Sequence, residues 1–142
     1  MTFISITRLR VRSWRFIPAF ALYTFRSARQ AREASGNLTT RVLADRRNTF
    51  WTATAWSSDT AMRQFMVAGA HRQAMGKLAE WCDEASVVHW NQDNAKLPTW
   101  HEAWTRLLRD GRKSTVHHPS PGHDALQFSE PLVRGSAERS FK

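Results

Sequence analysis

Residues 50–65, Phe50-Trp51-Thr52-Ala53-Thr54-Ala55-Trp56-Ser57-Ser58-Asp59-Thr60-Ala61-Met62-Arg63-Gln64-Phe65, carry the chain out of a strand and into a helix. From Thr49 to Trp56 the residues are mainly threonine, alanine and aromatics, a mix that suits a pleated strand. Ser57, Ser58 and Asp59 then offer oxygens to the free amides of a helix start, and Met62, Phe65 and Met66 fall on one face of that helix. Gly69 breaks it. A second helix is expected from His71 to Asp83, with Ala74, Met75, Leu78, Trp81 and Cys82 on one stripe and His71 extending it by a turn. Val87-Val88-His89-Trp90 reads as a strand. Thr99 with Glu102 makes a capping box before a last helix through Trp100, Trp104, Leu107 and Leu108, which stops at Asp110 and Gly111.

Upstream, Leu38 to Ala44 is strand-like, and the polar run Asp45-Arg46-Arg47-Asn48 joins it to Thr49 as a hairpin turn. A longer helix runs from Pro18, a favoured first-turn residue, to Glu33 and ends at Ser35 and Gly36, with Gly36 suited to a left-handed cap. Phe3 to Val11 alternates as a strand, with Arg8, Arg10 and Arg12 on one side and Thr7, Leu9 and Val11 on the other. The order strand, helix, strand, strand, helix, strand is the split βαβ pattern of a ferredoxin-like α+β domain. It implies a four-stranded antiparallel sheet with helices on one face. The other face would lie open to water. A second copy of the chain is its simplest cover, so a homodimer is expected.

With 142 residues, 42% of them hydrophobic, the chain is long enough for one core. The domain is assigned to residues 1–111, and residues 112–142, rich in proline and serine, to an extended or disordered tail. The single cysteine, Cys82, has no partner for an internal disulfide, which points to a reducing, cytoplasmic setting. The apolar run from Phe16 to Phe25 is too short to cross a bilayer, and no small-residue cleavage site follows it before Arg26. The net charge of +9 is concentrated: residues 1–47 hold ten Lys/Arg against two acids. Such a patch attracts anions.

The stretch 50–65, followed by Ala70-His71-Arg72-Gln73-Ala74-Met75, resembles the antibiotic-biosynthesis-monooxygenase-like dimeric α+β barrels, and in particular an uncharacterised bacterial branch of them. The resemblance runs from about residue 3 to about residue 92. It implies a barrel of two subunits and an oxygenase-like activity, in a group that includes cofactor-free oxygenases, haem-degrading oxygenases and haem-dependent carotenoid oxygenases. In haem-degrading members a Trp of the middle helix distorts the porphyrin and a later His ligates iron. Here Phe65 stands at the Trp place and Met75 at the His place, with His71 one turn earlier. The order Trp56, Met62, Phe65, His71 is loosely similar to the carotenoid-oxygenase branch. The resemblance leaves the cofactor open, none or haem, and no G-x-G-x-x-G loop supports a dinucleotide site.

His71, an ionisable group on a core-facing stripe, is the candidate acid/base or iron ligand, with Arg72 beside it as counter-charge for an oxyanion. Trp51, Trp56, Phe65, Met75 and His89 are the candidate walls of a pocket between sheet and helices. A core and an interface filled with bulky rings explain the seven tryptophans equally well. His117, His118 and His123 lack a carboxylate or cysteine that would complete a metal-ligand set, so no metal site is assigned. The leading reading is an oxygenase-like enzyme for a hydrophobic small molecule. The alternative is a non-catalytic ligand-binding protein, or one lying on an anionic membrane through its basic, aromatic first third. Nucleic acid ranks last as a partner, for want of a groove-reading motif.

Overall fold

The computed structural model describes residues 1–133 and 138–141. Strand β1 (Thr2–Val11) leads through a short 3-10 turn (Trp14–Phe16) into helix α1 (Ile17–Glu33), then β2 (Asn37–Asp45) and β3 (Thr49–Trp56). Helices α2 (Asp59–Met66) and α3 (Gly69–Trp81) follow, and then β4 (Cys82–Gln92) and α4 (Trp100–Asp110). The C-terminal part adds β5 (Arg112–Lys113), α5 (Pro121–Ala125) and β6 (Glu138–Phe141). The sheet order is β5-β4-β1-β3-β2-β6, with every neighbouring pair antiparallel.

The central strands β4-β1-β3-β2 keep the ferredoxin-like order, but the sheet has six strands rather than the four expected, because β5 and β6 add to its two edges. The local signals act as the sequence indicates. Ser58 accepts from the Ala61 amide at 3.1 Å and Thr99 from the Glu102 amide at 3.1 Å, satisfying donors that open each helix. Gly36 has φ +89°, and a Cβ there would stand 2.6 Å from the Ala61 Cβ, so glycine both ends α1 and lets α2 approach. Arg47 and Asn48 both take φ +57°, as a tight hairpin between β2 and β3 requires.

Strand β4 begins at Cys82, not at Val87, and α3 ends correspondingly early at Trp81. The acids Asp83 and Glu84 look unlike strand residues, yet β4 pairs with β1, whose Arg8 and Arg10 meet them across the ladder. Cross-strand charge pairs offset the poor strand propensity.

Helices cover both faces, not one. Phe3, Val11, Phe20, Trp56, Met62 and Cys82 pack on the side of α1, α2 and α3. On the other side Ile4, Ile6, Leu43, Trp51, Ala53, Ala55 and Val88 form one core with Leu97, Trp100, Ala103 and Leu107, all 7% exposed or less. The apolar stripe of α4 needs a surface, and the face opposite α1–α3 is the one free. The sheet face expected to bind a second subunit is therefore covered by the chain itself.

Residues 112–133 and 138–141 also differ from an extended or disordered tail: they include β5, α5 and β6. After passing the end of α3, where Val116 joins the apolar cluster and the His117 amide donates to the Ala79 carbonyl, the chain is strapped along the α4 side. The Trp104 indole donates to the Phe128 carbonyl at 3.0 Å, Phe128 packs edge-on to Trp51 with centroids 6.0 Å apart, and His123 is buried. The remainder of that assigned tail, residues 134–137 and 142, lies outside the described residues.

Candidate functional site

At the helix-covered end of β3, Trp56 is fully buried and sits opposite Phe3 in register. Met62 comes down from α2 to close this cluster. The Phe65 ring lies 5.2 Å from that of Trp56, and the His71 ring 4.5 Å from that of Phe65. Three rings thus run from the sheet to the start of α3.

The junction between α2 and α3 is pinned from α1. Gln30 donates through Nε2 to the Ala68 carbonyl at 2.8 Å, and its Oε1 accepts from the His71 amide at 3.0 Å. The imidazole Nδ1 lies 3.2 Å from the Met66 carbonyl oxygen. A carbonyl only accepts, so Nδ1 carries the proton and Nε2 holds the lone pair. Burial lowers the His71 pKa, against a smaller opposing effect of the Met66 bond, so the ring is neutral at neutral pH. A neutral imidazole with its lone pair on Nε2 is a general base. Trp56 Nε1, also buried, has no hydrogen-bond partner among the described residues.

Beside Phe65 lies a shallow groove of about 310 Å³, lined also by Gln30, Glu33, Ser35, Gln64 and Ala68. Its wall does not fit haem. Among the described residues Glu33 is the one charged group on it, with no cation to meet propionates, while Met75, at the iron-ligand place, is 45% exposed on the outer side of α3.

His89 stands opposite Ser5 on the same sheet face, with its ring 5.1 Å from Phe3. Its pKa is lowered by burial first, and then by Arg112 and Arg63. The two imidazoles therefore flank one apolar cluster. Trp56, Phe65, His71 and His89 are brought together around it; Trp51, Arg72 and Met75 are not. Trp51 belongs to the α4 core, and Arg72 and Met75 face solvent. Gln30, which sets the imidazole in place, carried no motif. Only its position one helix turn before Ala34 on a long helix hinted at an inward-facing amide.

The fold is similar to that of antibiotic biosynthesis monooxygenase-like α+β proteins among the solved structures. Similar solved structures include SnoaB, a cofactor-independent oxygenase from Streptomyces nogalater, at 16% identity and a TM-score of 0.53, over 66% of this chain and 94% of that one. Rv0793 from Mycobacterium tuberculosis matches at 12% identity and a TM-score of 0.60, over 68% and 100%. A Nitrosomonas europaea protein provisionally described as an antibiotic biosynthesis monooxygenase matches at 16% and 0.58, over 64% and 89%. No curated protein matches. The chain belongs to the family described as a domain of unknown function, DUF3291, whose model matches residues 16–136.

Proposed function

We propose that the chain is an oxygenase-like enzyme that acts, without haem, on a flat hydrophobic molecule that lies against Phe65 and reaches from the groove, which His71 does not itself line, to the imidazole beyond that ring. The observation that carries this reading is the imidazole of His71, fixed by Met66 and Gln30 as a neutral base at the edge of an aromatic cluster. In the proposed reaction, His71 Nε2 takes a proton from an activated CH2 of an enolisable substrate, and the carbanion reacts with dioxygen. The CH2 becomes C=O; one oxygen atom enters the product and the other leaves as water with the two hydrogens. The resemblance in fold to a cofactor-independent oxygenase supports the class, not the substrate.

The test is oxygen uptake with a panel of enolisable polycyclic aromatics and isoprenoids. His71→Ala should lower turnover by roughly 10²–10⁴-fold, the usual share of a general base. In the wild type the rate should rise with pH through a value below that of an ordinary imidazole and then level off, since the neutral form is the active one. Equal rates for wild type and His71→Ala would end the assignment.

A second reading has its own support. Trp14 is 78% exposed, Phe25 56% and Leu22 48%, beside the cations Arg15, Arg26 and Arg29, and no helix among the described residues is long and apolar enough to span a membrane. Such a face suits an anionic bilayer surface. Salt-sensitive co-sedimentation with phosphatidylserine vesicles, lost in a Phe25→Ser, Arg26→Gln variant, supports this reading. Light scattering at dimer mass that falls to monomer in that variant assigns the face to a homodimer instead.

A further inference from the structure

On the α4 side the segment from Ser120 to Ser129 closes over the hairpin end of the sheet and leaves a pocket of about 440 Å³. Arg8, Arg10, Arg46 and Arg47 line it, with Asp45 and Glu84 as the acids. Donors outnumber acceptors. Glu84 receives Arg8 Nη1 at 2.5 Å and the Ser120 hydroxyl at 2.6 Å, with Arg10 Nη1 at 3.3 Å. Asp45 receives the amides of Arg46 and Leu132 at 2.7 and 3.1 Å and the Trp51 indole at 3.3 Å. Two carboxylates offer about eight lone-pair sites, and most are taken.

Two donors are left over. Arg8 is 6% exposed, yet its Nε has no partner among the described residues. Besides the Glu84 contact through Nη1, its guanidinium is held by rings, 4.2 Å from the centroid of Phe128 and 5.9 Å from that of Trp51, which leave Nε free. Arg47, exposed on the hairpin, has no side-chain ion pair or hydrogen bond among the described residues. The wall is built for closeness: a Cβ at Gly122 would stand 2.8 Å from the Gln127 carbonyl and 3.1 Å from Glu84 Oε2. Thr49, Gln127 and Ser129 complete a polar lining unlike that of the groove beside Phe65.

We propose that this pocket binds a small oxyanion, a carboxylate or phosphate group, gripped by Arg47 at the mouth and by the spare Nε of Arg8 at the floor, while Arg10 stays bound to Asp83 and Glu84. Guanidinium forks match the two-oxygen edge of either group, and a low-dielectric floor strengthens the grip. The site lies on the opposite face of the sheet from His71, so its ligand is an effector or a second substrate of polar character.

Calorimetric titration of the full chain at physiological ionic strength, with inorganic phosphate and with succinate as probes, tests it. Sodium chloride in the buffer holds non-specific screening constant. Saturable binding of either probe is expected, and which one binds distinguishes phosphate from carboxylate. Arg47→Gln removes an exposed cation at a position already held at positive φ, and should weaken binding about tenfold while leaving the circular dichroism unchanged. Arg8→Lys, which keeps the charge but removes the free Nε donor, should weaken it as well. Absence of saturable binding by both probes, or affinity unchanged in Arg47→Gln, overturns the proposal.

Discussion

The face of the sheet under α4 is held by paired charges set into an apolar core, whereas the face under α1–α3 is held by apolar packing with few polar groups. On the first, Arg8 and Glu84 meet at 2.5 Å with both side chains under a tenth exposed, and Arg10 spans to Asp83 at 2.8 Å. On the second, Trp56 Nε1 is buried without a hydrogen-bond partner among the described residues, and burial favours the neutral form of His71. The contrast follows from what each strand places on each side. Even-numbered residues of β1 carry the arginines, so opposite charges must meet them; odd-numbered residues carry Phe3 and Leu9, which ask only for apolar cover. Buried charges specify one arrangement and tolerate no loss of a partner, while an apolar cluster tolerates change and leaves room for chemistry.

The sharpest way to break this comparison is Glu84→Ala, which strands Arg8 in the core. Urea unfolding should show a loss of about 3–5 kcal/mol. A loss below about 1 kcal/mol would mean that the charge network does not hold this face. Next comes Leu107→Ala, which opens a cavity under a fully buried side chain of α4 and should cost about 2–5 kcal/mol in the same measurement. A much smaller loss would show that α4 does not seal the sheet.

A third, smaller effect falls on the helix-covered face. Burial lowers the folded-state pKa of both His71 and His89, so the unfolded chain binds protons more readily than the folded one. Stability should therefore fall as the pH drops through the ordinary imidazole value near 6.5, until the lower folded values are passed. Thermal melts across that range should show the slope, and a His71→Gln, His89→Gln variant should flatten it. The smallest change expected is Trp56→Phe. Losing the unpaired indole N–H offsets the small cavity left behind, so unfolding free energy should move by less than about 1 kcal/mol. A loss of several kcal/mol would show that the indole nitrogen makes a bond worth keeping.

Much of the frame was legible. The capping residues Ser58 and Thr99, the cap at Gly36 and the hairpin at Arg47-Asn48 each act through neighbours a few residues away, and such signals survive any tertiary context. The candidate site was legible in part. His71, Phe65 and Trp56 do come together, because helix and strand periodicity place them on facing sides. Trp51 was grouped with Trp56, although residues five apart along a strand point to opposite faces. Met75 shares the spacing of a helical stripe, yet α3 turns Ala74 inward and leaves Met75 in water. A stripe read from spacing is wider than the line of contact that packing selects.

Sequence alone determines the order of the elements from β1 to α4, the caps that open and close several of them, the basic first third and an imidazole near an aromatic cluster, since each depends on local propensity or on simple alternation. The tertiary structure decides where α4 and the residues after it go. Their apolar stripe specifies that they must bury something, but not which surface. Only the prior occupation of one sheet face by α1–α3 sends α4 to the other, and in doing so encloses the arginines of β1.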